Sequence, residues 1–100
     1  MKKVYICSPY RGDVERNVGN ARRYCRDAVK TGFIPVAPHI YFTQFLDDSV
    51  ESERMAGIEA GIQLMLACDE VWVFGEPTDG MRQEIECAME NGLKIVDKMA

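Results

Sequence analysis

Short apolar runs alternate with longer amphipathic segments along the whole chain. Short runs bounded by turn residues are typical of buried strands, and apolar residues three and four positions apart are typical of helices. The pattern predicts strands at 4–7, 33–36, 70–75 and 93–96, separated by helices that begin near 14, 52 and 79. Because strands and helices alternate throughout, the sequence predicts an α/β fold with a parallel sheet of about four strands and right-handed crossovers.

Local residue chemistry places several ends of these elements. Asp13 is the predicted N-cap of the first helix, and Gly32 follows its end, a position where glycine is common. Pro35 lacks a donor for a ladder hydrogen bond, so the second strand is expected at a sheet edge. The third strand is apolar almost throughout, which favours a central position. Open sheet edges must be covered or paired, and this requirement predicts a homodimer.

The segment 37–52 has no clean period and is long for a connection in a compact domain. It is interpreted as a lid, a binding loop or an interface. The second helix, at about 52–68, is expected to bury one stripe, and further core positions are expected on the third strand and third helix. These predicted core residues are Met55, Ile58, Ile62, Met65, Leu66, Trp72, Phe74 and Met89. Asp69, which introduces the third strand, is expected to have a structural role.

Composition narrows the class of protein. The length of 100 residues fits one domain, 1–100, and the net charge of −4 argues against nucleic-acid binding through a broad basic surface. The first residues lack the apolar core of a signal peptide, and no apolar run is long enough to span a membrane. A cytoplasmic protein without a membrane partner is therefore expected. A local basic pocket for a phosphate remains compatible with the net charge.

The cysteines give no sign of a metal or disulfide site. The 4 cysteines are scattered without a CxxC pair, and His39 is the single histidine. Zinc sites need clustered ligands, so no metal is predicted, and the cysteines are expected to be reduced apolar core residues.

In an open parallel sheet, ligands bind outside the carboxyl ends of the strands. The loops expected there are 8–13, 37–52 and 75–80. In the first loop Ser8 offers a hydroxyl, Arg11 a cation and Gly12 space for close backbone approach, a combination that can bind an anion. A plain strand-to-helix turn with Arg11 in solvent is the alternative.

The third loop leads into a helix that carries Glu84. We expect Glu84 about one turn into that helix, where the helix dipole favours an ionised carboxylate, and Gly80 offers a ligand close access to the backbone. The alternative is that Glu84 is only a favourable residue near a helix start. Thr78 or Asp79 is the predicted cap.

Three stretches, YICSPYRG at 5–12, CDEVWVFG at 68–75 and DGMRQEIECAMENGLKI at 79–95, resemble the nucleoside 2-deoxyribosyltransferase superfamily. That group includes the 2-deoxynucleoside 5′-monophosphate N-glycosidases. The chain looks most like its short, uncharacterised bacterial and phage members, and the resemblance covers nearly all of the sequence. It implies a three-layer, flavodoxin-like (Rossmann-like) fold with helices on both sheet faces, no cofactor, and a homodimer or higher homo-oligomer.

The resemblance also implies a chemistry and a small-molecule partner, a nucleoside or nucleotide. Glu84 falls on the nucleophile, which attacks the anomeric carbon of a deoxyribose and expels the base through a covalent glycosyl-enzyme intermediate. Water or a second base then accepts the sugar, so the enzyme is a hydrolase or a transferase. The resemblance places Tyr5, Ser8, Tyr10, Arg11 and Gly12 on the family's first loop, with Ser8, Arg11 and Gly12 on the stretch that holds a 5′-phosphate. The further candidate substrate-binding residues are His39, Gly80 and Met81.

The chain departs from the family pattern at one position. Family enzymes carry an aspartate on the second helix that assists the leaving base or orients the sugar, and this position falls on Gly61 or Ala60. Glu59 is the nearest carboxylate and the first candidate substitute. Asp47 or Asp48 is the alternative substitute, and loss of activity is the third possibility. Asp79 is a further candidate acid, although a capping role fits it equally.

Several residues of the segment 37–52 have alternative roles. His39 can stack on a base, donate a proton or have no role, and its ordinary pKa lies near neutrality. Tyr41, Phe42 and Phe45 can clamp a base or pack at a dimer interface. The competing function is a non-catalytic nucleotide-binding or sensing module on the same fold, which the missing aspartate favours.

Overall fold

The computed structural model describes residues 1–99. Its elements are β1 (Lys3–Cys7), α1 (Val14–Lys30), β2 (Ile34–Val36), α2 (Pro38–Tyr41), a 3₁₀ turn (Phe42–Gln44), α3 (Glu51–Leu66), β3 (Glu70–Val73), α4 (Asp79–Glu90) and β4 (Lys94–Asp97). All strand pairs are parallel, in the order β2-β1-β3-β4. The predicted α/β class and the flavodoxin-like arrangement are confirmed.

Helices cover both faces of the sheet. Each strand supplies side chains to both helical layers because successive side chains of a strand point in opposite directions. Val4 and Ile6 of β1 pack with Trp72 and Phe74 on the face covered by α1, where Ala28 is fully buried. On the opposite face, α3 and α4 pack against the other alternating positions of β1 and β3. That second cluster contains Tyr5, Cys7, Met65, Cys68, Val71, Val73, Met81 and Ala88.

The predicted edge and cap assignments are confirmed. β2 lies at one edge, with Pro35 beside Val4, and β3 lies between β1 and β4. The Asp13 side chain accepts a hydrogen bond from the Arg16 backbone amide, and Gly32 follows α1 with φ +89°. Trp72 and Phe74 are buried, as predicted. Asp69 has a structural contact, because its carboxylate accepts a 2.8 Å hydrogen bond from the Lys3 amide at the start of β1.

The predicted apolar stripe of α3 is wrong in its first half. Met55 and Ile58 are exposed, whereas Met65 is fully buried. Only the C-terminal half of α3 lies on the sheet, because its first half faces the segment before it, which folds into α2 and the 3₁₀ turn. Met89 is also wrong as a core residue, since 66% of it is exposed on the outer side of α4.

The sheet order determines where a ligand can bind. The chain passes from β1 to β2 in one direction and from β2 to β3 in the other, so β1 and β3 flank a topological switch point. Loops that leave the carboxyl ends of such strands diverge and open a crevice. Within residues 1–99, no helix has both the length and the apolar character that a membrane crossing requires.

Thr78 fixes the start of α4, the helix that carries Glu84. Its side-chain hydroxyl accepts a 3.2 Å hydrogen bond from the Met81 amide. We expect Thr78→Ala to lower the free energy of unfolding by about 1 kcal/mol, because the amide loses its partner. Thr78→Ser, which retains the hydroxyl, is expected to stay within a few tenths of a kcal/mol of the parent. Urea denaturation checks the pair, and equal losses would contradict the capping role.

Candidate active site

A cleft of about 630 Å³ lies at the carboxyl ends of β1 and β3. The loop after β1 and the start of α4 form one side, and α2 with the first half of α3 forms the other. The chemically informative residues that line it are Tyr5, Ser8, Tyr10, Arg11, His39, Phe42, Asp48, Arg54, Gly61, Asp79, Gly80, Met81 and Glu84. Most of the predicted site residues are thus brought together at one place.

Glu84 lies at the floor of the cleft and is held by two donors from β1. The Tyr5 hydroxyl donates to Glu84 Oε2, and the Cys7 thiol lies 3.6 Å from Glu84 Oε1. Residues 5 and 7 share one face of the strand because side chains alternate along it. The first strand therefore presents a phenol and a thiol to a carboxylate from the last helix.

The pKa of Glu84 is set by burial and hydrogen bonds rather than by the helix dipole, which was expected to favour the ionised carboxylate. Glu84 is the sixth residue of α4, beyond the first turn, where the dipole effect has fallen off. Burial raises the pKa of Glu84, while the hydrogen bonds from Tyr5 and Cys7 act in the lowering direction. Burial and the nearby Glu84 also raise the pKa of Tyr5 well above its ordinary value, so the phenol keeps its proton and donates.

His39 reaches the cleft from α2 and meets the first loop. Its Nε2 lies 3.4 Å from Ser8 Oγ, and its ring packs edge-on against Tyr10 with centroids 5.9 Å apart. Burial lowers the pKa of His39, which favours the neutral imidazole near neutral pH. A neutral ring can accept from Ser8 through one nitrogen and donate through the other.

The first loop carries the cation of this side of the cleft. Arg11 is exposed and lines the cleft, and within the described residues its guanidinium forms no ion pair. The Asn17 side chain donates to the backbone carbonyls of Tyr10 and Arg11, both at 3.0 Å, and so holds the loop on α1. Gly12 has φ +98°, a left-handed conformation that favours glycine, but it does not line the cleft.

The residues at the start of α4 differ in their access to the cleft. Gly80 lines it, and Met81 both lines it and packs its side chain into the core, where only 2% is exposed. The Asp79 carboxylate is almost fully exposed and pairs with Arg82 at 2.9 Å. Asp79 therefore lies at the rim, directed to solvent, while Thr78 provides the cap.

The structure separates the carboxylates that were candidates to replace the missing aspartate. Gly61 does line the cleft, but Glu59 is exposed and lies outside it, so the expectation that Glu59 acts there is not supported. The reason is helix phase, because residue 59 is rotated by about 200° from residue 61. Asp48 lines the cleft, whereas the Asp47 carboxylate accepts hydrogen bonds from the amide and hydroxyl of Ser49.

Arg54 is the main cleft residue that sequence reasoning missed. It lies on α3 with Gly57, Ile58 and Gly61, at spacings of three, four and seven that place them on one helix face. Its guanidinium is 3.3 Å from Glu51, near the cleft mouth. The signal was present in the sequence, since Gly61 was already a recognised site position and Arg54 precedes it by two turns.

No metal centre emerges from the side chains of residues 1–99, where no group of three or more His, Cys, Asp or Glu could hold an ion. The cleft brings together a partly buried carboxylate, a neutral imidazole and two guanidinium groups around an open space. Such a set suits a sugar or phosphate ester with an electrophilic carbon near Glu84.

The chain is similar to known proteins in its sequence profile and in its fold. Residues 2–98 match the sequence profile of a family described as a domain of unknown function, DUF7768. No curated protein matches the chain in sequence. Among solved structures, the chain is similar to a 2-deoxyribosyltransferase from Bacillus psychrosaccharolyticus, with a TM-score of 0.70 and 18% identity over 93% of this chain and 69% of that one. At this identity the likeness shows a shared fold.

Burial of His39 makes stability depend on pH. The imidazole ordinarily titrates near 6.5, and its pKa is lower in the folded chain, so below 6.5 the unfolded chain binds a proton that the folded chain does not. The contribution of His39 to the free energy of unfolding is therefore fully present above pH 6.5. It is lost as the pH drops towards the folded pKa, by at most about 1.4 kcal/mol per pH unit. We expect His39→Gln to lack this component when urea unfolding is measured at pH 7.5 and 5. The same loss in both proteins would contradict it.

Proposed function

We propose that this chain, which belongs to the family of the DUF7768 domain, cleaves or transfers the N-glycosidic bond of a 2-deoxynucleoside or its 5′-monophosphate through a covalent Glu84-glycosyl intermediate. The observation that carries the proposal is the position of Glu84. A partly buried carboxylate that lines a cleft and is oriented by Tyr5 and Cys7 suits the role of a glycosyl nucleophile.

The fold comparison supports the same substrate class. The similar structure from Bacillus psychrosaccharolyticus is described as a 2-deoxyribosyltransferase suited to nucleoside synthesis. In this chain the shared fold has its topological switch point between β1 and β3, and Glu84 lines the cleft there. Shared fold alone does not determine function, so the site residues carry the argument.

The reaction proceeds in two displacements. A lone pair of the Glu84 carboxylate forms a bond to the anomeric carbon while the carbon–nitrogen bond breaks, and the electron pair of that bond leaves with the base, which takes up a proton. Water or a second base then attacks the same carbon and releases one proton, which balances the proton taken up by the departing base. The bond to Glu84 breaks, and its electron pair returns to the carboxylate. Tyr5 holds Oε2 throughout and keeps the side chain in one orientation.

The phosphate end of a nucleotide fits the first loop. Arg11 offers a guanidinium without an internal partner in the described structure, and Ser8 offers a hydroxyl that also faces His39. Guanidinium groups bind phosphate through paired hydrogen bonds. This combination favours a 5′-monophosphate over a bare nucleoside.

We assign the interaction with the leaving base to Asp48. It lines the cleft together with Phe42 and Arg54, on the side opposite the first loop. Phe42 offers an aromatic surface for the base, and Asp48 can accept a hydrogen bond from it or deliver a proton to it. In this proposal Asp48 replaces the aspartate whose position is occupied by Gly61.

A non-catalytic nucleotide-binding module is the second candidate. The observation that favours it is Gly61, which lines the cleft without a carboxylate, while the exposed Asp48 lies on the segment before α3 rather than on the helix. Such a module would use the same cleft and the same phosphate contacts, and it would release no base.

We further propose that residues 1–100 form one catalytic unit that acts in the cytoplasm as a homodimer or larger homo-oligomer, without a cofactor. The open edge strands β2 and β4 support self-association. So does the aromatic group Tyr41, Phe42 and Phe45, whose rings contact one another and in which Tyr41 and Phe45 are more than half exposed.

Glu84→Gln is expected to abolish release of free base from deoxynucleosides and their 5′-monophosphates, because an amide cannot form the glycosyl ester. Chromatography after incubation with a nucleotide panel, with and without a second free base, measures hydrolysis and transfer separately. Glu86→Gln, an exposed change on the same helix, is the matched control and should retain activity. Turnover by Glu84→Gln would refute the nucleophile. Ligand-induced stabilisation without turnover by the parent would favour the binding module.

Arg11→Ala is expected to weaken binding of a deoxynucleoside 5′-monophosphate by roughly 10- to 100-fold, because it removes hydrogen bonds to a charged group. Binding of the matching nucleoside should change by less than about 3-fold, since it lacks the phosphate. Titration calorimetry measures both ligands. Arg16→Ala, just beyond the loop and outside the cleft, is the control. Equal weakening of both ligands would remove Arg11 from the phosphate site.

A further inference from the structure

Cys7 has a contact that its expected role as an apolar core residue does not explain. Its side chain is fully buried, and its sulfur lies 3.6 Å from Oε1 of Glu84. The other carboxylate oxygen, Oε2, accepts from the Tyr5 hydroxyl. Each oxygen of the carboxylate therefore has its own donor, and both donors come from one face of β1.

The two donors are unequal in strength. A phenol is a strong donor, whereas a thiol is a weak one. Burial, followed by the charge of Glu84, raises the pKa of the Cys7 thiol, so sulfur keeps its proton and donates rather than competing as an anion. Oε2 is consequently held tightly, and Oε1 is oriented with little loss of its electron-donating character.

We propose that Cys7 is a positioning residue for Glu84. The thiol of Cys7 orients Oε1 of Glu84 and leaves it the less tightly held of the two oxygens, so that Oε1 is available to attack the anomeric carbon. The inference rests on the proposed function of Glu84 as a nucleophile. It assigns unequal tasks to the two carboxylate oxygens: Oε2 anchors the side chain, and Oε1 forms the bond to carbon.

Other charged and titratable groups line the same cleft as this carboxylate. They come from the first loop, α2, the segment before α3, α3 itself and the start of α4, and they are Tyr10, Arg11, His39, Asp48, Arg54 and Asp79. Below the carboxylate, β1 contributes Tyr5 and Cys7 alone. Variants at position 7 leave all the other groups in place, so a change in the titration of Glu84 reports on the contact with Cys7.

The pair Cys7→Ser and Cys7→Ala isolates the donor. Both changes remove sulfur and leave similar space, but only serine retains a group that can donate to Oε1. We expect the pKa of Glu84 to be higher in the alanine variant than in the serine variant by about 0.5 pH unit or more, because a donor stabilises the ionised form. The carboxyl band in infrared difference spectra, assigned by subtraction of Glu84→Gln, follows this titration without substrate.

The matched control is Cys68, a buried cysteine of the same core cluster that donates to the Leu64 carbonyl rather than to Glu84. Cys68→Ser and Cys68→Ala should give the same pKa for Glu84. If either Cys7 variant fails to fold, the isosteric pair Cys7→Thr and Cys7→Val repeats the comparison. Equal pKa values within the position-7 pair would overturn the proposal, and so would an equal difference within the position-68 pair.

Kinetics provide the second readout and separate this proposal from the proposed function. With an active parent enzyme, the acid limb of kcat should lie at higher pH in Cys7→Ala than in Cys7→Ser, because the unprotonated carboxylate attacks. Coincident acid limbs would overturn the positioning role. If the parent releases no base from any substrate, the nucleophile assignment fails, yet the infrared titration still decides whether Cys7 controls Glu84.

Discussion

The hydrogen bond between Tyr5 and Glu84 is the constraint on which the site depends. It joins the first strand to the last helix across 79 positions of the sequence, at a partly buried place where a carboxylate needs donors. The bond can form only when α4 packs on the face of the sheet that carries the odd-numbered residues of β1. Register, helix packing and site geometry are therefore linked through one side-chain contact.

The two sides of the cleft are held in place by different contacts. The first loop is tied to α1 by Asn17, and Glu84 is anchored by β1, so this side is held by hydrogen bonds to regular structure. The opposite side consists of a single-turn helix, a 3₁₀ turn and the exposed first half of α3. The proposed nucleophile and phosphate-binding groups therefore lie on the first side. The side proposed to contact the base is held by local hydrogen bonds, such as those from the Thr43 hydroxyl to the His39 carbonyl and from the Ser49 amide to Asp47.

Much of the fold followed from periodicity and turn chemistry. The alternation of apolar runs with helical spacing predicted the parallel sheet, Pro35 the edge strand and Asp13 the helix cap, because each depends on local geometry. The short elements between 38 and 44 were missed, since one helical turn leaves no measurable period. Met55 and Ile58 were misplaced because the first half of α3 does not pack on the sheet: Ile58 lines the cleft, and half of Met55 is exposed.

The site was partly predictable for a similar reason. Family resemblance located Glu84, and the rule for parallel sheets located the loops beside it. The raised pKa of Glu84 was not predictable, since it arises from burial among three elements that are far apart in sequence. Glu59 lies outside the cleft and Arg54 lies within it because of the phase of α3. Counting residues along the helix from Gly61 would have predicted both positions.

The central position of β1 has a consequence for how the chain folds. One edge of β1 pairs with β2, where Lys3 lies beside Ile34, and its other edge pairs with β3, which is further along the sequence and where Val4 lies beside Glu70. Contacts of such long range close slowly, and an apolar strand edge stays uncovered until they form. During synthesis, the β1 segment leaves the ribosome long before β3 does. We therefore expect the growing chain to expose one apolar edge of β1, and the cleft can form only after α4, which carries Glu84, has been synthesised.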